Sequence, residues 1–488
     1  MICVSIGRGR HRHVLAEHKH LVEQGAKLVE LRLDYIKSAV DIKRLLNDRP
    51  CPVIITCRRE REGGKFAGTE EARRMLLRSA IASGADYVDL EEDIAASIPR
   101  YGKTKRIISL HDFVRTPEDL GAIHARLAAL DADIVKIATL ANHPHDNVRM
   151  LRLIKDAKIP TVGLCMGDIG TPSRILAGKF GAPLTYATFH IERTLAPGQL
   201  SYDQMVNIYN YPSIDSQTEV YGVIGDPIGH SYSPLIHNAA FRYQKLNKVY
   251  VPFRVAREDL ANFLDDCQEL GIRGLSVTIP HKEAVFQALS RPDEATKNIG
   301  ATNTLVFEGR ERAGYNTDYQ AAIASLKKSH GSLRNQSAMV LGAGGAALAV
   351  AYGLKQEGAR VTISSRTLAR AERLAEQVKC RAVDWEQRHS FSVDILVNCT
   401  PVGMHPQVAE SPFDKHRLKP GMVVFDTVYN PETTLLIKEA RNRNCTVVTG
   451  VDMFIGQAAL QYKLFTGQAA PEELMRETLK RAIGPAKG

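Results

Sequence analysis

Residues 133–138 read Asp-Ile-Val-Lys-Ile-Ala, with Lys136 set inside an otherwise apolar, β-branched run. The run predicts a buried strand over Ile134–Thr139. A lysine held in mid-strand loses hydration, which favours an uncharged, nucleophilic amine. Outward from this stretch the same strand pattern recurs at Ile2–Gly7, Leu28–Asp34, Val53–Arg58, Tyr87–Glu91, Arg106–His111, Thr161–Gly167 and Leu184–Phe189. Segments such as Glu70–Ser83 and Pro117–Leu130 lie between, apolar at three- and four-residue spacing. Eight strand–helix units in roughly 200 residues predict a (β/α)8 barrel at the small end of its range.

The polar strand residues fall where such a barrel keeps its chemistry, at the C-terminal strand ends. Glu30, Arg32 and Asp34 alternate along the second strand, so period two points them to one side. Arg58 ends the third strand, with Glu62 and Gly63-Gly64 behind it. Asp89 and Glu91 alternate in the fourth, His111 closes the fifth, and the seventh runs through Met-Gly-Asp-Ile-Gly towards Arg174. Charges on five strands require a polar pocket in the middle. Lysine attacking a ketone, with histidine moving protons, is the chemistry these residues suit.

The segments Glu-Leu-Arg-Leu-Asp (30–34), Thr-Cys-Arg…Glu-Gly-Gly (56–64), Ser-Leu-His-Asp-Phe (109–113), Asp-Ile-Val-Lys-Ile-Ala (133–138), Met-Gly…Ser-Arg (166–174) and Ala-Pro-Gly-Gln (196–199) together resemble the type I 3-dehydroquinate dehydratases. The resemblance implies that Lys136 forms a Schiff base with the substrate ketone. It makes His111 the general base and later acid, with Glu62 orienting it. Arg174 would grip the carboxylate, while Glu30, Arg32, Arg58 and Gln199 would contact hydroxyls or each other. One departure stands out. The family often has a serine just before Ala-Pro-Gly-Gln, where this chain has Leu195, with Thr194 as the nearest substitute hydroxyl.

At 488 residues the chain is too long for one ordinary core, so two to four domains are expected. With 44% hydrophobic and 24% charged residues it reads as a globular chain. No run of 18 apolar residues appears, which argues against a membrane span, and the N-terminus lacks the layout of a secretory or transit signal. Eight scattered cysteines, none two or four apart, form no zinc knuckle and suit a reducing cytoplasm. The net charge of +10 is spread along the chain, which favours anionic small substrates and phosphate-bearing cofactors over nucleic acid. His11, His13, His18 and His20 cluster near the N-terminus, but no carboxylate follows at a zinc-protease spacing. They read as a solvated histidine-rich helix, with no metal.

From Tyr209 to Thr218 apolar periodicity is lost, which reads as a short linker. A strand starts again at residue 220. The strand Ala-Met-Val-Leu then enters Gly342-Ala343-Gly344-Gly345-Ala346-Ala347 and an apolar helix, the layout that sets a pyrophosphate on a helix N-terminus. The next strand, Arg360–Ser364, ends at Ser365-Arg366-Thr367. An acidic residue there would bond the ribose hydroxyls of NAD, whereas arginine suits a 2′-phosphate and so NADP.

Further segments make up an ordered set: Gly225-Asp-Pro-Ile-Gly-His-Ser231-Tyr-Ser233-Pro, Ser276-Val-Thr278-Ile-Pro-His-Lys282, Ala-Thr-Asn303-Thr, Asn316-Thr-Asp318, Asn398-Cys-Thr-Pro-Val-Gly-Met404, Asp426-Thr-Val-Tyr429 and Gly450-Val-Asp-Met453…Gln457. Together they resemble the shikimate dehydrogenase family. That resemblance implies Ser231 and Ser233 on the substrate carboxylate, and Thr278, Asn303, Tyr429 and Gln457 on its hydroxyls. Lys282 and Asp318 become the central catalytic pair, and Gly450 joins the cofactor site.

The expected architecture is a barrel over 1–210, a linker over 211–218, and a substrate domain over 219–320 completed by 451–488. A Rossmann NADP domain follows over 321–450, with a cleft that domain motion closes. The expected chemistry is dehydration of 3-dehydroquinate to 3-dehydroshikimate, then reduction to shikimate with NADPH. Two rivals are weighed: a quinate-oxidising dehydrogenase, against which Arg366 argues, and a regulator that has lost its catalytic residues, against which Lys136, His111, Lys282 and Asp318 argue.

Overall fold

The computed structural model describes residues 1–190, 192 and 194–484. The chain separates into two compact units, one of Met1–Pro234 with Lys245–Ile272, the other of Leu235–Gln244 with Arg273–Gly488.

The first unit is built on eight parallel strands: β1 (Ile2–Ile6), β2 (Leu28–Arg32), β3 (Val53–Thr56), β4 (Tyr87–Glu91), β5 (Lys105–Asp112), β6 (Ile134–Leu140), β7 (Thr161–Met166) and β8 (Thr185–Thr188). Helices alternate with them: α1 (His11–Glu23), α2 (Ile42–Leu46), α3 (Glu70–Ala82), α4 (Glu92–Ala95), α5 (Leu120–Ala128), α6 (His145–Asp156) and α7 (Thr171–Leu176). The ladder runs β7-β6-β5-β4-β3-β2-β1-β8, so β8 returns to pair with β1 in the register Cys3↔Tyr186. Between β7 and β8 there is no ladder among the described residues, and the Gly167 N–H at the end of β7 is taken by the Pro197 carbonyl instead.

Side-chain caps start several helices, each satisfying a backbone donor the helix cannot. Asp41, Thr69 and Asp119 accept from Arg44, Ala72 and Ala122 N–H. Leu28, Ile54, Ile107, Ile134 and Leu164 fill the barrel interior.

Two expectations need correction. Strand β2 stops at Arg32, and Asp34 sits in a 3-10 turn (Leu33–Tyr35) because its carboxylate accepts two bonds from Arg32, at 2.9 and 2.8 Å. The histidines of α1 are not one solvated face. His11, Val14, His18 and Leu21 follow helical spacing onto the buried side, while His13 and His20 stay exposed. His11 Nε2 accepts from the Asp41 N–H at 2.9 Å, and burial, with help from Arg49, pulls His18 down to about 4. The segment 209–218 is anchored to the first unit. Tyr209 and Tyr211 are buried, and Lys179 donates to the Ser216 and Thr218 carbonyls.

Also in this unit, β9 (Glu219–Gly225) and β10 (Lys248–Arg254) pair in parallel, with α8 (Ser233–Tyr243) beginning between them. Helix α9 (Leu260–Asp266) lies beside α6, where His143 meets Asp259 and His145 meets Asp266, each at 3.0 Å.

The second unit holds β11 (Ile272–Val277), α10 (Lys282–Gln287), β12 (Arg291–Pro292), α11 (Glu294–Ile299), β13 (Thr304–Glu308), β14 (Glu311–Tyr315) and α12 (Thr317–His330). Strand β13 pairs antiparallel with both β11 and β14. A six-stranded parallel sheet follows, of β15 (Ser337–Leu341), β16 (Arg360–Ser365), β17 (Arg381–Asp384), β18 (Ile395–Asn398), β19 (Val423–Asp426) and β20 (Thr446–Val448). It is interleaved with α13 (Gly345–Gln356), α14 (Leu368–Val378) and α15 (Leu435–Asn442), and closed by α16 (Gly450–Thr466) and α17 (Glu472–Ile483). The order β17-β16-β15-β18-β19-β20 is doubly wound, with its switch point at β15 and β18, where open sheets of this kind bind nucleotides.

Candidate active sites

In the barrel, Glu30, Arg32, Arg58, Glu62, His111, Lys136, Arg174 and Gln199 line one pocket with Ser5, Phe113, Met166, Tyr186, Leu195 and others. The eight named from sequence therefore share one mouth. A buried chain of alternating charge leads to Lys136. Arg73 links Glu70 to Glu91 (2.8 and 2.7 Å), Arg58 links Glu91 to Asp89 (2.6 and 2.8 Å), and Asp89 accepts from Lys136 Nζ at 2.9 Å. Each buried charge is thereby paired, as burial of ions requires. Burial pushes the Asp89 carboxyl up, but Arg58 and Lys136 outweigh it and hold it well below the usual carboxylate range. Lys136 is thus not merely desolvated, because an anion meets its amine on one side. On another side the Tyr186 ring centroid lies 4.2 Å away.

Glu30 accepts from Ser5 Oγ (2.6 Å) and Thr56 Oγ1 (2.8 Å) and stands 3.9 Å from Lys136. His111 is shifted well below its ordinary value by burial and by the neighbouring Arg58 and Lys136 charges, so it stays neutral, and its Nδ1 has no partner. Glu62 does not orient His111 by a hydrogen bond. Its Oε1 accepts from Arg59 at 2.7 Å, the nearer cation, while Oε2 has no hydrogen-bond partner. Burial, with the charge of Glu91, raises the Glu62 carboxyl.

Arg174 is 2% exposed, donates to the Pro197 carbonyl at 3.3 Å and leaves Nε unpaired. Burial pulls it to about 10, which still leaves a cation at neutral pH and a ready partner for an anion. The loop carrying Leu195 and Gln199 closes on itself, Leu195 N–H donating to Gln199 Oε1 at 3.0 Å. Thr194 is exposed and does not line the pocket, so it does not replace the family's serine hydroxyl. Asp89, Glu91, Ser109 and Tyr186 were not chosen from sequence as site residues. The Asp-x-Glu alternation in β4 was the available signal for the first two.

In the second unit Lys282 opens α10 and Asp318 lies in the first turn of α12, where Asn316 caps the helix. The two side chains meet at 2.5 Å. Asn303 is largely committed within the protein: Oδ1 accepts from the Thr317 N–H (2.8 Å) and Thr304 hydroxyl (2.9 Å), and Nδ2 donates to Thr317 Oγ1. Thr278 is half-buried, Tyr429 stacks on Phe454 at 4.6 Å, and Gln457 donates back to the Phe454 carbonyl. Gln461, one helical turn beyond Gln457, is 1% exposed and joins Ser276, Asn303 and Thr304; sequence reading missed it. Ser231 and Ser233 belong to the first unit, with the Ser233 N–H 3.3 Å from Ser231 Oγ.

The glycine turn fits a dinucleotide. Gly342 has φ +116°, and a Cβ there would lie 2.9 Å from the Cys399 carbonyl, so only glycine serves. Helix α13 starts at Gly345 with Gly344 as N-cap and no side-chain cap, which leaves Ala343, Ala346 and the first-turn N–H groups around an open anion site. A Cβ at Gly345 would touch the Lys282 stem at 3.4 Å, so the lysine lies over this turn. Ser365 ends β16, and Arg366 and Thr367 follow it, with Arg366 exposed. Gly450 has a different constraint: a Cβ would sit 2.3 Å from the Val428 carbonyl, so it brings the Thr449–Asp452 capping box of α16 against the sheet.

A barrel mouth with a strand lysine, a neutral histidine and a waiting guanidinium defines an imine-forming lyase. The second unit defines a dinucleotide-dependent oxidoreductase. By comparison with known proteins, the type I 3-dehydroquinase family matches residues 2–216, and the shikimate dehydrogenase substrate binding domain matches 223–305. The shikimate/quinate 5-dehydrogenase family matches 324–424, and the shikimate 5′-dehydrogenase C-terminal domain 450–480. A chloroplastic bifunctional 3-dehydroquinate dehydratase/shikimate dehydrogenase of Arabidopsis thaliana is 38% identical over 99% of this chain and 84% of its own length. The shikimate biosynthesis protein AroDE of Chlamydia pneumoniae is 32% identical over 91% of this chain and 90% of its own. The crystal structure of shikimate 5-dehydrogenase from Thermus thermophilus with NADP(H) and shikimate covers 54% of this chain and 99% of its own, at 33% identity and a TM-score of 0.51. The chain belongs to the bifunctional 3-dehydroquinate dehydratase/shikimate dehydrogenase family.

Proposed function

We propose that this chain carries out two consecutive steps, dehydration of 3-dehydroquinate to 3-dehydroshikimate and reduction of that product to shikimate with NADPH. The observation that carries the first step is Lys136 Nζ, buried and 2.9 Å from Asp89, in one pocket with neutral His111 and Arg174. Arg174 takes the substrate carboxylate. Lys136 adds to the ketone carbon and water leaves, giving an iminium that draws electrons from the neighbouring C–H. His111 accepts that proton, then returns it to the departing hydroxyl, so one water is lost and a second, taken up on hydrolysis, frees the lysine. Asp89 remains beside the iminium as its counter-ion. Glu30, Arg32, Arg58 and Gln199 shape the polar wall, and one Glu62 oxygen, 3.8 Å from Arg58, has no hydrogen bond.

In the second step NADPH, when bound at the Gly342–Ala346 turn with Ser365, Arg366 and Thr367 at its 2′-phosphate, supplies hydride. Lys282, held by Asp318, gives the carbonyl oxygen its proton. Within the second unit Thr278, Asn303, Tyr429 and Gln457 serve the ring hydroxyls. Asn303 contributes its one remaining N–H, and Gly450 positions α16. The accompanying organisation is 1–210, a join at 211–218, 219–320 completed by 451–488, and 321–450.

The partners are the three small anionic acids and NADP. No helix among the described residues is long and apolar enough to cross a membrane. All eight cysteines are free, which favours a reducing compartment such as the cytoplasm.

Borohydride added with 3-dehydroquinate is expected to fix substrate mass on Lys136, located by peptide mass spectrometry. Shikimate, and not quinate, is expected to be oxidised with NADP in preference to NAD. A chain that traps no imine and turns over neither acid is a regulator, and the proposal falls.

A further inference from the structure

The barrel pocket contains one hydroxyl with nothing to bond. Tyr186 is 4% exposed, in the middle of β8, and its Oη has no hydrogen-bond partner. An unpaired buried hydroxyl costs stability, so a buried one that is kept needs an explanation outside the resting fold. Its ring already has a task, lying under the Lys136 ammonium at 4.2 Å, but that contact uses the π face and would be served equally by phenylalanine. Tyr186 lines the same pocket as Leu195, the position at which the resemblance leads one to expect a serine. Leucine brings no donor there, and Thr194 is exposed. Burial, reinforced by Glu30, keeps the phenol protonated and therefore a donor.

We infer that Tyr186 is a substrate-binding residue of the dehydratase, its hydroxyl donating to an oxygen of the bound hydroxylated acid in place of the hydroxyl that Leu195 lacks. The inference rests on the dehydratase reading above.

Tyr186→Phe removes that one oxygen. With 3-dehydroquinate as the probe, KM is expected to rise about tenfold, the equivalent of one hydrogen bond of about 1.4 kcal/mol, with kcat within about twofold of the parent. The melting temperature should not fall, because no bond of the resting protein is lost. Shikimate oxidation on the same chain reports correct folding. Adding Leu195→Ser to Tyr186→Phe should bring KM back towards the parent value.

An unchanged KM in Tyr186→Phe overturns the proposal. So does a fall in kcat alone, which would place the hydroxyl's effect on Lys136, or a lowered melting temperature with unchanged KM, which would make it structural. Failure of Leu195→Ser to lower KM in the double variant overturns the replacement of the missing hydroxyl. A parent enzyme that neither traps substrate at Lys136 nor dehydrates it defeats the underlying reading instead, so the two failures are distinguishable.

Discussion

At the scale of single residues, the proposed dehydration turns on a histidine kept neutral inside a cluster of charge. Burial, with Arg58 and Lys136, disfavours protonation of His111. The proton is therefore taken up only below the ordinary value of about 6.5. The acid limb of the dehydratase kcat/KM profile, which reports the free enzyme, is expected below about pH 6.5 and should vanish in His111→Asn. A limb centred at or above that ordinary value would contradict this assignment. Asp89 is the other decisive residue, since Arg58, Lys136 and the Ser109 hydroxyl (2.6 Å) all converge on it. Asp89→Asn leaves two buried cations short of an anion and is expected to cost about 3 kcal/mol, measurable by urea denaturation. Sequence made Lys136 and His111 legible because titratable residues inside strand patterns are conspicuous, and Arg174 because it follows the end of the seventh strand. It did not show that Glu62 turns to Arg59, because that choice depends on which cation lies nearer in space.

At the scale of elements, turns decide the chemistry. The β15–Gly342–α13 unit was readable because a positive φ and an uncapped helix start demand glycines in a fixed order. On the proposed reading the tip of β16 selects the cofactor. Arg366→Ala removes one charge-assisted pair with a 2′-phosphate, worth about 1.5–2 kcal/mol, so KM for NADP should rise roughly 10- to 30-fold while KM for NAD hardly moves. Initial rates with both cofactors check it, and equal effects on the two would remove Arg366 from the site. Helix α1 shows what local reading misses. Its histidines have no intrinsic preference for water, and two are buried because they share a face with Val14 and Leu21.

At the scale of the whole molecule, the lysine of the dehydratase and the lysine–aspartate pair of the dehydrogenase lie in different compact units. Lys136→Ala is expected to lower dehydration by about a thousandfold or more and to leave shikimate oxidation within about twofold. Lys282→Ala should do the reverse. Paired assays on each purified variant decide it, and a joint loss of both activities would show that the sites are not independent.

The sequence alone determined the element types, the barrel and doubly wound sheet, and the residues with evident chemistry, because periodicity and turn chemistry are local properties of the chain. Only the tertiary structure decided the pairings. It gave Lys136 to Asp89 and Glu62 to Arg59, placed Gln461 behind Asn303, anchored 209–218, and left the Tyr186 hydroxyl without a partner. Those outcomes depend on close approach between residues far apart in the chain, at roughly hydrogen-bond distance, and the physics of burying a charge or a hydroxyl acts only once that approach exists.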